Sequence, residues 1–78
     1  MITSKDIRKR LIEEIDNASI TNAEICRRLG ITTGALAQYK SGRSMPSLET
    51  LANLCKIIDV PPSYIMCYED FDGNRPTV

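Results

Sequence analysis

The segment from Ile20 to Gly42 limits this chain more than any other, because it encodes two short capped helices around a single glycine. Thr21 and Glu24 stand three apart as a capping box. In that arrangement the hydroxyl accepts from the backbone N–H near Glu24, and the carboxylate reaches back to the N–H of Thr21. Ile20 before the cap and Ile25 after it are placed as a hydrophobic staple. Ile25 and Leu29 then share one face for about two turns, until Gly30 supplies a left-handed residue that ends the helix at little cost. A second start follows almost at once. Thr32 is the N-cap, Ile31 and Leu36 repeat the staple, and Leu36, Tyr39 and Lys40 continue the period to the stop at Ser41-Gly42.

Two short helices joined by a three- or four-residue turn containing glycine must cross steeply, which is the geometry of a helix-turn-helix. Any pair of short helices in an all-α domain would share the glycine. The fuller register is more specific: apolar residues at 25, 29, 31, 36 and 39, a small residue at 26, glycine at 30, and threonine caps at 21 and 32.

The rest of the chain reads as helices around this unit. A first helix is expected to open at Thr3 or Ser4 and run to about Asn17, with Ile7, Leu11, Ile15 and Ala18 on one face. Arg43 to Pro46 forms a loop, and Ser47 caps a fourth helix from Leu48 to about Ile58. Its apolar stripe is expected to comprise Leu48, Leu51, Ala52, Leu54, Cys55 and Ile58. Asp59 to Pro62 turns the chain, and Pro62 suits the first turn of a short fifth helix through Tyr64, Ile65 and Met66. From Glu69 the periodicity ends. Residues 1–68 therefore read as one domain and 69–78 as a loose tail that Phe71 could anchor.

Seventy-eight residues leave room for one small core and no second domain. No apolar run approaches the ~18 residues needed to span a bilayer, and the first residues lack a signal-peptide core, so a cytoplasmic location is expected. The three cysteines, Cys26, Cys55 and Cys67, have no CxxC spacing, and the chain has no histidine to complete a zinc set. They read as reduced thiols. Cys26 and Cys55 occupy core positions, and Cys67 is the one open to oxidation. With no histidine, no phosphate-cradling glycine loop and Cys26 among core positions, enzymatic activity, a metal, a cofactor and a small-molecule substrate are not expected.

The formal net charge is zero, yet its distribution is polar. Residues 1–45 carry eight basic side chains (Lys5, Arg8, Lys9, Arg10, Arg27, Arg28, Lys40, Arg43) against five acidic ones, and residues 46–78 carry two against five. The positive half holds the helix pair, as suits a polyanion partner, but the excess is small.

The order Thr21, Glu24-Ile25, Leu29-Gly30-Ile31-Thr32, Leu36, Tyr39, Gly42, Pro46-Ser47-Leu48-Glu49-Thr50-Leu51, Cys55, Ile58, Val60 and Tyr64-Ile65 resembles the Cro/C1-type helix-turn-helix family of phage repressors, Cro proteins and related bacterial regulators. The resemblance covers roughly residues 5–66, and the Gly42-x-x-x-Pro-Ser-Leu segment is its most specific part. It implies an all-α, five-helix, lambda-repressor-like domain that binds double-stranded DNA. The helix after Thr32 would lie in the major groove, while the helix after Thr21 crosses the backbone. By position, Thr32, Thr33, Gly34, Ala37 and Gln38 would face base edges, and Asn22, Lys40, Ser41 and Arg43 would meet phosphates.

This chain departs from the family pattern twice. Lys40 stands where the family usually has a glutamate, so pairing with Glu13 or Glu14, or direct phosphate contact, is expected of it. The groove-facing surface is also sparse. Gln38 is its main hydrogen-bonding reader, aided by Thr33, with methyl contacts from Ala37 or Thr33 to thymine and close approach at Gly34. Arg27 and Arg28 read as a solvated helix end complementing the dipole. Tyr39 reads as core.

A palindromic operator with half-sites ~34 Å apart calls for a twofold homodimer. Tyr64, Ile65, Met66, Tyr68 and Phe71 are the candidate dimer surface, with packing back on the fourth helix as their other use. The second functional reading is a protein-interaction module, an antirepressor or antitoxin-like subunit with a degenerate helix-turn-helix.

Overall fold

The computed structural model describes residues 1–68, within which the chain forms five helices and no strand. They are α1 (Ser4–Asn17), α2 (Asn22–Leu29), α3 (Thr33–Ser41), α4 (Leu48–Ile58) and α5 (Pro62–Ile65). Four of the five starts are closed by a hydroxyl. Thr3, Thr21, Thr32 and Ser47 each accept from the backbone N–H three residues on, at 3.0–3.2 Å. α5 begins instead with Pro62 in its first turn, where the missing N–H costs nothing.

The reciprocal capping box expected at Thr21 occurs at α1. There Thr3 N–H donates to the Asp6 carboxylate while the Thr3 hydroxyl accepts from Asp6 N–H. At α2 the Glu24 carboxylate is taken by Arg27 and Arg28, three and four residues on along the same helix. Gly30 and Gly42 end α2 and α3 in the left-handed region, at φ 72° and 85°. After each, the next N–H reaches back five residues, Ile31 to Cys26 and Arg43 to Gln38, both at 3.0 Å. Asp59 ends α4 in the same way at φ 60° without being glycine.

The main helix contacts run in a ring: α1 on α3, α3 on α2, α2 on α4, α4 on α5, and α5 back on α1. Inside lie Leu11 and Ile15, Ile25 and Cys26, Leu36, the α4 residues Leu51, Leu54, Cys55 and Ile58, then Val60 and Ile65. Ile7, Ala18, Ile20, Leu29, Ile31 and Tyr39 close its edges, so both staple pairs contribute to the core. Among the described residues no polar side chain is buried. The core is held by aliphatic burial, at about 1.5–3 kcal/mol for each fully covered large side chain.

Two expectations for α4 and α5 are corrected here. Leu48 is 79% exposed and Ala52 is also exposed, so the α4 stripe is narrower than its sequence suggests, because only α2 and α5 pack closely on it. Ile65 is fully buried and belongs to the core. Tyr64 is half-buried beneath α1. The Arg10 guanidinium lies 4.4 Å from its ring centroid and donates to its backbone carbonyl at 2.9 Å. These contacts join α5 to α1, while its own burial withdraws Ile65 from the candidate dimer surface. Phe71 lies outside the described residues, as does the expected tail. No helix among the described residues is long and apolar enough to cross a membrane.

Candidate nucleic-acid interface

α3 is anchored from one side. Leu36 is its one buried residue, with Ala35, Tyr39 and Lys40 half-covered, while Thr33, Gly34, Ala37 and Gln38 are exposed. The helical period explains the split, since positions 34, 37 and 38 share a face opposite Leu36. Thr32 is also exposed but already occupied, its hydroxyl accepting from Ala35 N–H. Asn22, at the first residue of α2, is exposed as well.

The basic residues divide more sharply than their positions in the chain suggest. Arg27 and Arg28 both bind the Glu24 carboxylate, which they hold far below its ordinary pKa of 4.5, to about 2. They act as ion-pair partners as well as a helix end complementing the dipole. Lys40 is paired too, with an acceptor other than those expected. Its ammonium donates to Asp16 at 2.8 Å, not to Glu13 or Glu14. The crossing of α3 over α1 brings the last turns of both helices together, and Asp16 is the carboxylate there.

The C-terminal edge of α3 is built around Gln38 and Gly42. The Gln38 carbonyl accepts from the N–H groups of Gly42 and Arg43 and from the Ser41 hydroxyl, at 3.0–3.1 Å. Ser41 thereby serves as a local cap. Arg43 is exposed and forms no ion pair among the described residues. Arg8 of α1 lies against the same edge. A Cβ on Gly42 would stand 2.8 Å from the centre of its guanidinium. Helix periodicity in α1 marks Arg8 only as a polar position, and no local signal reveals its approach to Gly42.

No group of histidine, cysteine or acidic residues among the described residues could hold a metal ion. Cys26 and Cys55 are buried, and burial raises the Cys55 thiol pKa, which makes it a weaker nucleophile. Cys67 is half-buried.

Two short helices packed on each other and joined through Gly30, the second exposing its N-terminal turns and the first an exposed Asn22 at its start, define a helix-turn-helix DNA-binding domain. The family model described as helix-turn-helix matches residues 11–65, and the chain belongs to that family of DNA-binding regulators, of the Cro/C1 type. No curated protein and no solved structure matches the chain.

Proposed function

We propose that this chain is a sequence-specific transcriptional regulator, of the phage or prophage repressor or Cro-like kind, which binds a palindromic operator as a homodimer. The observation that carries the reading is the outward face of α3. Thr33, Gly34, Ala37 and Gln38 are exposed together on a helix fastened from behind by Leu36. α3 lies in the major groove with Thr32, Thr33, Gly34, Ala37 and Gln38 toward base edges. Asn22, Ser41 and Arg43 meet phosphates, and Lys40 is held back by Asp16. Of the expected dimer surface, Met66 and Tyr68 remain available, 41% and 79% exposed. Met45 and Leu48, just beyond α3 in the chain, are further large apolar side chains exposed to solvent. The test is selection of bound DNA from a random pool with stoichiometry measured. A palindromic consensus bound by two copies is expected, and a consensus-free pool overturns the reading.

One observation favours a second reading. Three of the basic side chains on the helix pair, Arg27, Arg28 and Lys40, are already engaged in ion pairs, the two arginines sharing Glu24 and Lys40 meeting Asp16, which suits a protein-interaction module of antirepressor or antitoxin-like kind. Absence of DNA binding at micromolar protein together with a stoichiometric protein partner would select it.

A further inference from the structure

Arg8 and Arg10, two residues apart, stand on opposite sides of α1. Arg10 crosses to α5, where it meets Tyr64. Arg8 goes the other way and reaches the C-cap of α3. A Cβ built on Gly42 would stand 2.8 Å from Cζ, 2.8 Å from Nη1 and 3.2 Å from Nε of Arg8. Only an approach to the flat face of the guanidinium gives that set, since an approach to its edge would bring the nitrogens nearer than the carbon. The group therefore lies flat over the Gly42 Cα, in space that any other residue would fill with its own side chain. Its N–H groups lie in the guanidinium plane and so are turned away from Gly42.

Those donors are unspent. Arg8 is half-buried, and among the described residues it forms no hydrogen bond and no ion pair. The same holds for the exposed side chain of Arg43, the next residue after Gly42. Arg27, Arg28 and Lys40, by contrast, are held by Glu24 and Asp16. A guanidinium steadied on one face with its donor edge open suits an anion with several oxygens, which it can meet by paired charge-assisted bonds. We propose that Arg8 binds a DNA phosphate, forming with Arg43 a two-armed grip on the backbone beside the C-terminal edge of α3, with Gly42 as the platform that holds Arg8 flat. The proposal rests on the DNA-binding reading above.

The experiment measures affinity of the full chain for its selected DNA site across a range of salt concentrations. Arg8→Gln should melt close to the wild type, weaken binding to all sequences alike, and lower the magnitude of the salt slope by about one for each copy bound. Lys9→Gln removes the same charge from the next residue, which lines a groove with Arg10 and Cys67, and should change the slope much less. Gly42→Ala should displace the guanidinium and lower the slope in the wild-type background, but have no further effect on it in the Arg8→Gln background. Gly30 also has positive φ, at 72°, yet a Cβ there meets nothing within 4 Å, so Gly30→Ala should carry similar backbone strain and leave the slope alone. An Arg8→Gln slope equal to the wild type, an equal fall for Lys9→Gln, or a Gly42→Ala effect that persists in full without Arg8 overturns the proposal while leaving DNA binding intact. A wild-type chain that binds no DNA overturns the functional reading and this inference together.

Discussion

The Lys40 ammonium, in the last turn of α3, lies 2.8 Å from Oδ1 of Asp16 at the end of α1. Both side chains retain contact with solvent, so the pair is worth at most about 1 kcal/mol. It ties the last turn of α3 to the end of α1. A cycle of Lys40→Met, Asp16→Asn and the double variant should show a coupling of about 0.2–1 kcal/mol in thermal unfolding. Lys40→Glu, which turns attraction into repulsion, should cost more than Lys40→Met. Additive single effects would show that the two charges do not interact.

The same pair predicts which cation DNA feels. With Asp16 paired to Lys40, Arg43→Ala should lower the magnitude of the slope of log affinity against log salt by about one for each copy bound, about two for a dimer, whereas Lys40→Met should change it by much less. Binding isotherms at four or five salt concentrations decide it. Equal slope changes would return Lys40 to the phosphate-contacting set.

Gln38→Ala should relax sequence preference at one base pair by ~1–3 kcal/mol while barely altering non-specific binding. The hydrogen bonds that close α3 use the Gln38 carbonyl, which alanine keeps, so the variant should melt close to the wild type. Arg43→Ala should weaken binding to all sequences alike. Competition against single-base variants of the selected site separates these outcomes, and a uniform loss from both substitutions would contradict the assignment.

Acid should weaken the fold through Glu24. Its hydrogen bonds from Arg27, then from Arg28, lower the folded-state pKa from 4.5 to about 2. A carboxylate with a depressed pKa contributes stability that is complete above its unfolded pKa and fades as pH falls through the folded one. The loss should therefore lie between about pH 4.5 and 2. Asp6, lowered by the N–H and hydroxyl of Thr3, adds to it in the same direction. Glu24→Gln should flatten the acid limb of a melting-temperature profile; an unchanged limb would remove Glu24 from the account.

Ile65 and Tyr68 should separate folding from association. Ile65→Ala opens a cavity in a fully buried position and should cost about 2–5 kcal/mol, comparable with the whole stability of a domain this small. Tyr68→Ala removes an exposed ring and should leave the melting temperature of dilute protein nearly unchanged while weakening dimerisation measured by sedimentation. Unaltered self-association would exclude Tyr68 from the interface.

Much of this architecture is written locally. The hydroxyls of Thr21, Thr32 and Ser47 cap the helices they precede, Gly30 and Gly42 stop them, and Pro62 starts the last, because each effect is decided within four residues. What could not be read locally depends on crossing helices. Nothing near Lys40 in sequence distinguishes Asp16 from Glu13 or Glu14 as its partner. Nothing near Leu48 tells that no helix covers it, and nothing near Ile65 tells that it fills the core while Tyr64 lies under Arg10. Glu24 is a case of local competition: the reciprocal cap to Thr21 and the two arginines further along α2 want the same carboxylate, and the charged donors take it. For the candidate site, the groove-facing positions of α3 come from the family resemblance, and the exposure of Thr33, Gly34, Ala37 and Gln38 agrees with it. The approach of Arg8 to Gly42 was not legible in the sequence.

The single buried anchor of α3 has a consequence for how such a chain can change. Because Leu36 and the Thr32 and Gly42 caps hold the helix from behind and from its ends, positions 33, 34, 37 and 38 form an interchangeable cassette whose contents the core does not register. Substitutions there can change the outward face of α3 by single steps while Leu36 and the two caps stay as they are.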